Sequence, residues 1–487
     1  MKSRLVRLLS LVLALLMILS LVTACATGET EETDAETTGA TATDEVVTER
    51  VPTVEKKDYD TEFSVLYCAD IYPIDYFLLE EDQRRPGSDM DDRVYERMLS
   101  IQEHLGVDIN AVDGGDFQSY TTPVRASISA GDDSYQLVMT HVHWGVSGMF
   151  LDNLMKDFND FSSIQLDADY WNGPLMEDLA INGKMFCGYN DFMLANCYVV
   201  AFNKDMIAEY ASTTGNLYEH VRNKTWTMEK FIETATLISR DNGDGKWDEN
   251  DVYGLSTWAW VPLISFQVGC GIPIVKKDGD GAPYYSPMED NSDRIVELDE
   301  MIYNLMKQPS VFSWGLGDEP QLHITSGRVM CELLGTFALV TTKEEDIKVG
   351  VLPYPLWDSK QDDYLTMSWN GVMCVPTTVK DEEMVGDVLE MLAWYSQPVT
   401  TAFYETLLGS KVAEAPEDAE MLELIWRTQV ADMGLLYSDA SAAPSMDDIL
   451  YAIPRHVTLN TPAYATYFRQ KVRSAQRYLD KLFSIGE

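Results

Sequence analysis

Two tryptophans two residues apart, Trp258 and Trp260, lie in the stretch 253–260. Side chains at i and i+2 of an extended segment point the same way. Two indoles displayed like this can stack on the apolar faces of sugar rings. They can equally be two core residues, because large aromatics are usually well buried. Trp369 and Asn370 set a ring beside an amide that both donates and accepts hydrogen bonds. His141 and His143 would share a face if a strand continued through them, as a pair of metal ligands does. No third ligand lies near them in the sequence, and two imidazoles alone do not define a metal site. A metal and a polar or sugar-contacting loop are the competing readings.

Residues 240–251 read RDNGDGKWDEND, close to the D-x-[DN]-x-D-G calcium loop. With Gly245 at the tight turn, Asn242, Asp244, the Lys246 carbonyl, Asp248 and Asp251 fall at positions 3, 5, 7, 9 and 12. Position 1 is Arg240 where Asp is expected, and position 12 is Asp where the longer Glu is expected, so coordination is weakened twice. Calcium is one reading and an acidic connecting turn the other. Asp-Gly-Asp-Gly at 278–281 reads more simply as a hairpin turn. The sequence holds no G-x-S-x-G, H-E-x-x-H, G-x-G-x-x-G or Walker A motif. With 79 acidic residues, chance carboxylate pairs are inevitable. The separation of two carboxylates that a glycoside hydrolase needs therefore cannot be read here.

The elements that would position these residues alternate. A strand over 62–69, a helix over 90–105, a strand over 107–112, a helix around 120–128 and a strand over 135–140 predict a parallel sheet flanked by helices. Ligands of such sheets bind at the carboxyl ends of strands, which brings the loop 69–77 and the stretch 140–144 near a site. Asn182-Gly183 sets a hairpin turn, 185–189 and 198–202 are short apolar runs, and Asn203 can cap a helix over 206–210. Thr227 can cap 228–240, with Trp226 and Phe231 as a hydrophobic staple. Later come a helix over 294–306, strands over 348–355 and 372–375, and helices over 384–395, 416–430 and 463–483.

The start of the chain carries Lys2, Arg4 and Arg7, then an apolar run over 8–22 that is too short for a comfortable membrane span and reads as a secretory h-region. Residues 21–25, Leu-Val-Thr-Ala-Cys, look like a bacterial lipobox with Cys25 as the lipid-bearing residue. Two acyl chains on one residue give stable anchoring that a single chain does not. Residues 26–50 hold eight Thr and eight acids and almost no large apolar side chain, which makes them a disordered tether. The whole chain carries a formal charge of −43 from 36 basic and 79 acidic residues. Nucleic acid is thereby a poor partner. The six other cysteines, Cys68, Cys187, Cys197, Cys270, Cys331 and Cys374, show no zinc-type spacing, and their redox state is open.

The succession of NGK strand, polar break, strand, FNKD helix and K-T-W-T helix over 181–231 resembles the core of extracellular solute-binding proteins of ABC importers, of the maltodextrin-binding type. The run LLGSKVAEAPEDAEMLELIW resembles the carbohydrate-binding branch of Gram-positive anaerobes. The resemblance covers about residues 59–487. It implies a type II periplasmic-binding-protein-like α/β fold with two lobes, each a mostly parallel sheet flanked by helices, and a ligand cleft between them. The expected segments are a signal peptide over 1–24, a lipidated Cys and tether over 25–58, a first lobe from 59–190 plus 327–375, and a second from 191–326 plus 376–487. It also implies cleft positions for Asn190 and Asp191 at the polar break, for His141 and Trp144 after a strand, and for Phe337 beside Gly335.

The function expected is capture of a carbohydrate by a monomeric, lipid-anchored receptor on the extracytoplasmic face, which delivers it to the permease subunits of an ABC importer. No catalytic residue and no required cofactor are expected, with calcium the candidate ion. The alternatives are a receptor for a cationic peptide or polyamine, which the negative charge would steer, and a surface glycoside hydrolase.

Overall fold

The computed structural model describes residues 52–315, 319–341, 347–369, 371–404, 416–439 and 446–485. The first sheet grows from local signals. Strand β1 (Thr61–Tyr67) buries Phe63, Val65 and Leu66. The helix Asp89–Leu105 starts where the Ser88 side chain accepts the Asp91 amide, gathers three aspartates in its first turn, and buries Val94, Ile101 and Leu105. Those acids favour the positive end of the helix dipole. Gly106, at φ 64, stops it in the left-handed region where glycine is at ease. Strand β2 (Val107–Asp113) then pairs in parallel with β1, Thr61 opposite Val107, and β3 (Leu137–Met139) pairs in parallel on the other side of β1.

The second sheet runs from β4 (Tyr198–Asn203) through β5 (Ser239–Arg240) and β6 (Val252–Trp258). After the hairpin β7 (Val275–Lys277) and β8 (Pro283–Tyr285), β9 (Val311–Trp314), β10 (Val329–Gly335) and β11 (Val349–Leu352) complete it. Its order is β11-β4-β10-β6-β5, with β9 also on β6. The pairs of β6 with β10 and β9 are parallel, and the other pairs are antiparallel. Further on, β12 (Thr366–Met367) takes β14 (Gln429–Val430) as a parallel partner, and β13 (Met373–Cys374) closes the first sheet against β3.

The capping predictions hold. The Asn203 side chain accepts the Met206 amide at 3.0 Å, and Thr227 Oγ1 accepts the Lys230 amide at 3.4 Å. Trp226 and Phe231 meet edge to face at 6.0 Å, and the Trp226 indole donates to the Pro353 carbonyl at 2.9 Å. We expect Thr227→Ala to lower the unfolding free energy by about 1 kcal/mol in urea titrations; no change would mean that the staple alone fixes this helix start. Asn182 and Gly183 both have positive φ, as the tightest hairpin turns require, and the 278–281 turn does join β7 to β8.

Four expectations need correction. The helix after Thr227 ends at Ala235, because Ser239 and Arg240 leave it to pair with β6. The run 185–189, expected as a strand, forms a single isolated bridge, Gly188 with Met373. The strands over 329–352, expected with the first lobe, pair with β4 and β6 in the second sheet. Conversely the helix Glu382–Trp394, expected with the second lobe, packs on Asp89–Leu105, and its Asp387 takes hydrogen bonds from Lys57 and Tyr59 beside β1.

All six described cysteines are buried and free. Burial pushes the thiols of Cys68, Cys187 and Cys331 up to about 12.

Candidate functional site

Loops leaving the carboxyl ends of strands in both sheets converge on a group of rings. From the loop after β2 comes Phe117, whose ring centroid is 5.0 Å from that of Trp144 and 6.0 Å from that of His141. His141 meets Trp369 edge-on at 6.5 Å, and His143 lies 5.8 Å from Trp369 and 5.0 Å from Tyr451. Tyr451 stacks on Trp260 at 4.7 Å with 25° between the planes. The predicted residues His141, Trp144, Trp260 and Trp369 are thus brought together. His143 joins them as the other half of the imidazole pair singled out in the sequence, and Phe117 and Tyr451 join them without having been chosen from it.

The histidines are set by their partners. His141 Nδ1 accepts the His143 amide at 3.0 Å, which leaves its hydrogen on Nε2. Burial, with His143 beside it, pushes His141 down to about 3, so this ring is neutral at physiological pH. His143 is held on both sides, Nδ1 to the Ser438 hydroxyl at 2.8 Å and Nε2 to Asp447 at 3.0 Å. Among the described residues no group of three or more His, Cys, Asp and Glu is placed to hold a metal ion, so the metal reading of the pair finds no support. What the group can do is present neutral donors and apolar ring faces.

Other predicted residues lie elsewhere. β6 ends at Trp258, which pairs in register with Trp314, and Trp260 caps the next helix, Val261–Gly269. The two indoles therefore do not share one extended segment. The Phe337 ring packs on Phe77 and Phe403, while its amide donates to the Asn196 side chain at 3.1 Å and the Asn196 carbonyl accepts the Trp369 amide at 3.1 Å. Asn190 and Asp191 line a separate pocket of about 250 Å³ with Trp171, Tyr404 and Trp426. Asn370 and Cys25 lie outside the described residues.

In the 240–251 loop, Asn242, Asp244, Asp248 and Asp251 each accept amides of the loop itself. Asp251 is buried, taking the Asn242 amide at 2.7 Å and the Asp248 amide at 2.8 Å. This is a succession of turns closed by their own side chains.

No protein-family model and no curated protein matches the sequence. Solved structures do match its fold. UgpB from Mycobacterium tuberculosis, in complex with glycerophosphocholine, is 14% identical over 86% of this chain and 98% of its own, with a TM-score of 0.57. The chain has the type II periplasmic-binding-protein-like fold. A solute-binding protein from Thermotoga lettingae bound to α-D-tagatose shares that binding-protein fold at 11% identity, over 87% of this chain and 100% of its own, TM-score 0.53. Maltose-bound MalE3 from T. maritima does so at 12%, over 87% and 99%, TM-score 0.51. Phe117, His141, Trp144 and Trp260 follow the carboxyl ends of β2, β3 and β6, the ends at which open α/β sheets bind ligands.

Proposed function

We propose that the protein is an extracytoplasmic solute-binding protein that captures a carbohydrate at the ring group and delivers it to the permease of an ABC importer. The observation that carries the reading is the convergence of Phe117, His141, Trp144, Trp260 and Trp369, from loops beside strands, with Tyr451 from a helical segment. Ring faces cover sugar C–H surfaces, while His141 Nε2 and neighbouring polar groups take hydroxyls, the usual division of labour in a mostly apolar pocket with a few placed donors. The similar structures bound to maltose and tagatose support the same ligand class.

Capture calls for no reaction. It also calls for no cofactor, and calcium in the 240–251 loop would act on the stability of that turn and not on the rings. Added calcium chloride that leaves the melting temperature unchanged removes the ion from the reading. Cys25 would carry the lipid anchor, the stretch 26–50 would be the tether, and the receptor would work as a monomer with Asn370 beside Trp369 at the site.

Isothermal titration with a panel of mono- and oligosaccharides tests this. We expect saturable binding of a neutral sugar, weakened at least tenfold, about 1.4 kcal/mol, by Trp144→Ala and by Trp260→Ala, with circular dichroism unchanged. Both rings are only partly buried, so their loss spares the core. Affinity that falls steeply with salt for a polyamine or cationic peptide, with no sugar bound, replaces the reading with a receptor for cations. Glycan turnover replaces it with a hydrolase.

A further inference from the structure

The pocket that holds Asn190 shares no residue with the ring group. It is lined by the segment 189–195, which runs from the bridge of Gly188 on Met373 in the first sheet to β4 in the second, and by Gln429 of β14. Its walls are aromatic. Trp171 donates its indole N–H to Glu390 at 2.8 Å, which leaves the ring as an apolar wall, and Tyr404 stands 5.7 Å from Trp426. Trp426 is 41% exposed, an indole left to water at the rim.

One polar group there is unsatisfied. Asn190 is 3% exposed, its Oδ1 accepts the Phe192 amide at 3.0 Å, and its buried Nδ2 has no hydrogen-bond partner. A buried donor left without an acceptor is costly, so an occupant that supplies one is favoured. That requirement selects the ligand chemistry. An ammonium or guanidinium carries donors only and would also face Arg427, while an anion would face Asp169 and Asp191. A hydroxyl accepts from Nδ2 and donates to a carboxylate or to Gln429, and its carbon frame suits the rings. At about 250 Å³ the pocket lies just under the roughly 300 to 1,000 Å³ of sites for drug-sized ligands, so the occupant is small.

We propose that this pocket is a second binding site, which takes a single neutral sugar ring or a short polyol. It stands on its own residues, independently of capture at the ring group.

The test uses the full chain with Trp144→Ala and Trp260→Ala combined, so that the ring group is disabled, and titrates D-glucose, D-tagatose, ribitol and mannitol to millimolar concentrations. The expected result is one equivalent of saturable binding for at least one probe. Asn190→Asp, which keeps an oxygen for the Phe192 amide and removes the donor, should weaken it at least tenfold. Trp426→Ala, at a position 41% exposed, should weaken it several-fold with circular dichroism unchanged. No saturable binding of any probe to the disabled protein overturns the proposal, as does binding indifferent to both pocket variants. Loss of all binding on disabling the rings refutes the second site and leaves capture standing. Binding that survives their loss unchanged and disappears with Asn190→Asp does the reverse.

Discussion

Replacing Glu390 by alanine lowers the unfolding free energy by about 4 kcal/mol, the upper range for loss of a buried charged hydrogen-bond centre. Glu390 sits on the helix Glu382–Trp394 with no exposed surface. Its Oε1 accepts the Tyr170 hydroxyl at 2.6 Å and the Thr53 hydroxyl at 2.9 Å, and its Oε2 accepts the Trp171 indole at 2.8 Å and the Gln165 amide at 3.1 Å. Bonds to an ionised acceptor are roughly twice as strong as neutral ones. Alanine leaves four donors facing a void, and two belong to rings that cannot turn away without unpacking. Urea unfolding of parent and variant measures the loss, and a change under about 1 kcal/mol would mean that water replaces the carboxylate. Because Trp171 lines the Asn190 pocket, the variant should also loosen whatever binds there.

The second large effect is a pH dependence carried by Asp432. Its carboxylate is buried and accepts the amides of Ile274 at 2.6 Å, Gly434 at 2.7 Å and Val275 at 3.2 Å. Burial pushes it up to about 6 from the ordinary 3.8, against the pull of those three amides. Between these values the folded protein holds a proton that the unfolded chain has released. Stability from this group is therefore fully present below about pH 4 and is lost as pH rises through about 6, a difference of about 3 kcal/mol. Unfolding free energies of the parent and Asp432→Asn from pH 4 to 7 isolate it, since asparagine does not titrate there. The parent's advantage should shrink with rising pH. An advantage that grows would show the amides winning over burial and the carboxylate ionised throughout.

What the sequence made legible is what depends on a few neighbouring residues. The Asn203 and Thr227 caps, the Trp226–Phe231 staple and the Asn182-Gly183 turn are contacts within five positions, and each was readable. Sheet membership was not: β10 is buried at every position, so its pattern fits the middle of either sheet, and only the partners β4 and β6 decide. The same limit governs the site. The strand-end rule brought out His141 and Trp144, and applied after β2 it would also have reached Phe117. Tyr451 reaches the rings from a helical segment about three hundred residues beyond His143, and nothing in its surroundings marks it. Trp258 was grouped with Trp260 by an alternation that stops when the strand does.

The six inert thiols make the folded domain chemically silent toward maleimides and mild oxidants, because the reactive species is the thiolate and burial suppresses it. One cysteine added beside the rim, for instance at exposed Glu423 one turn before Trp426, would then be the single address for a dye in a chain beginning after Cys25. Ligand arrival could be followed by fluorescence at that address without removing any native cysteine.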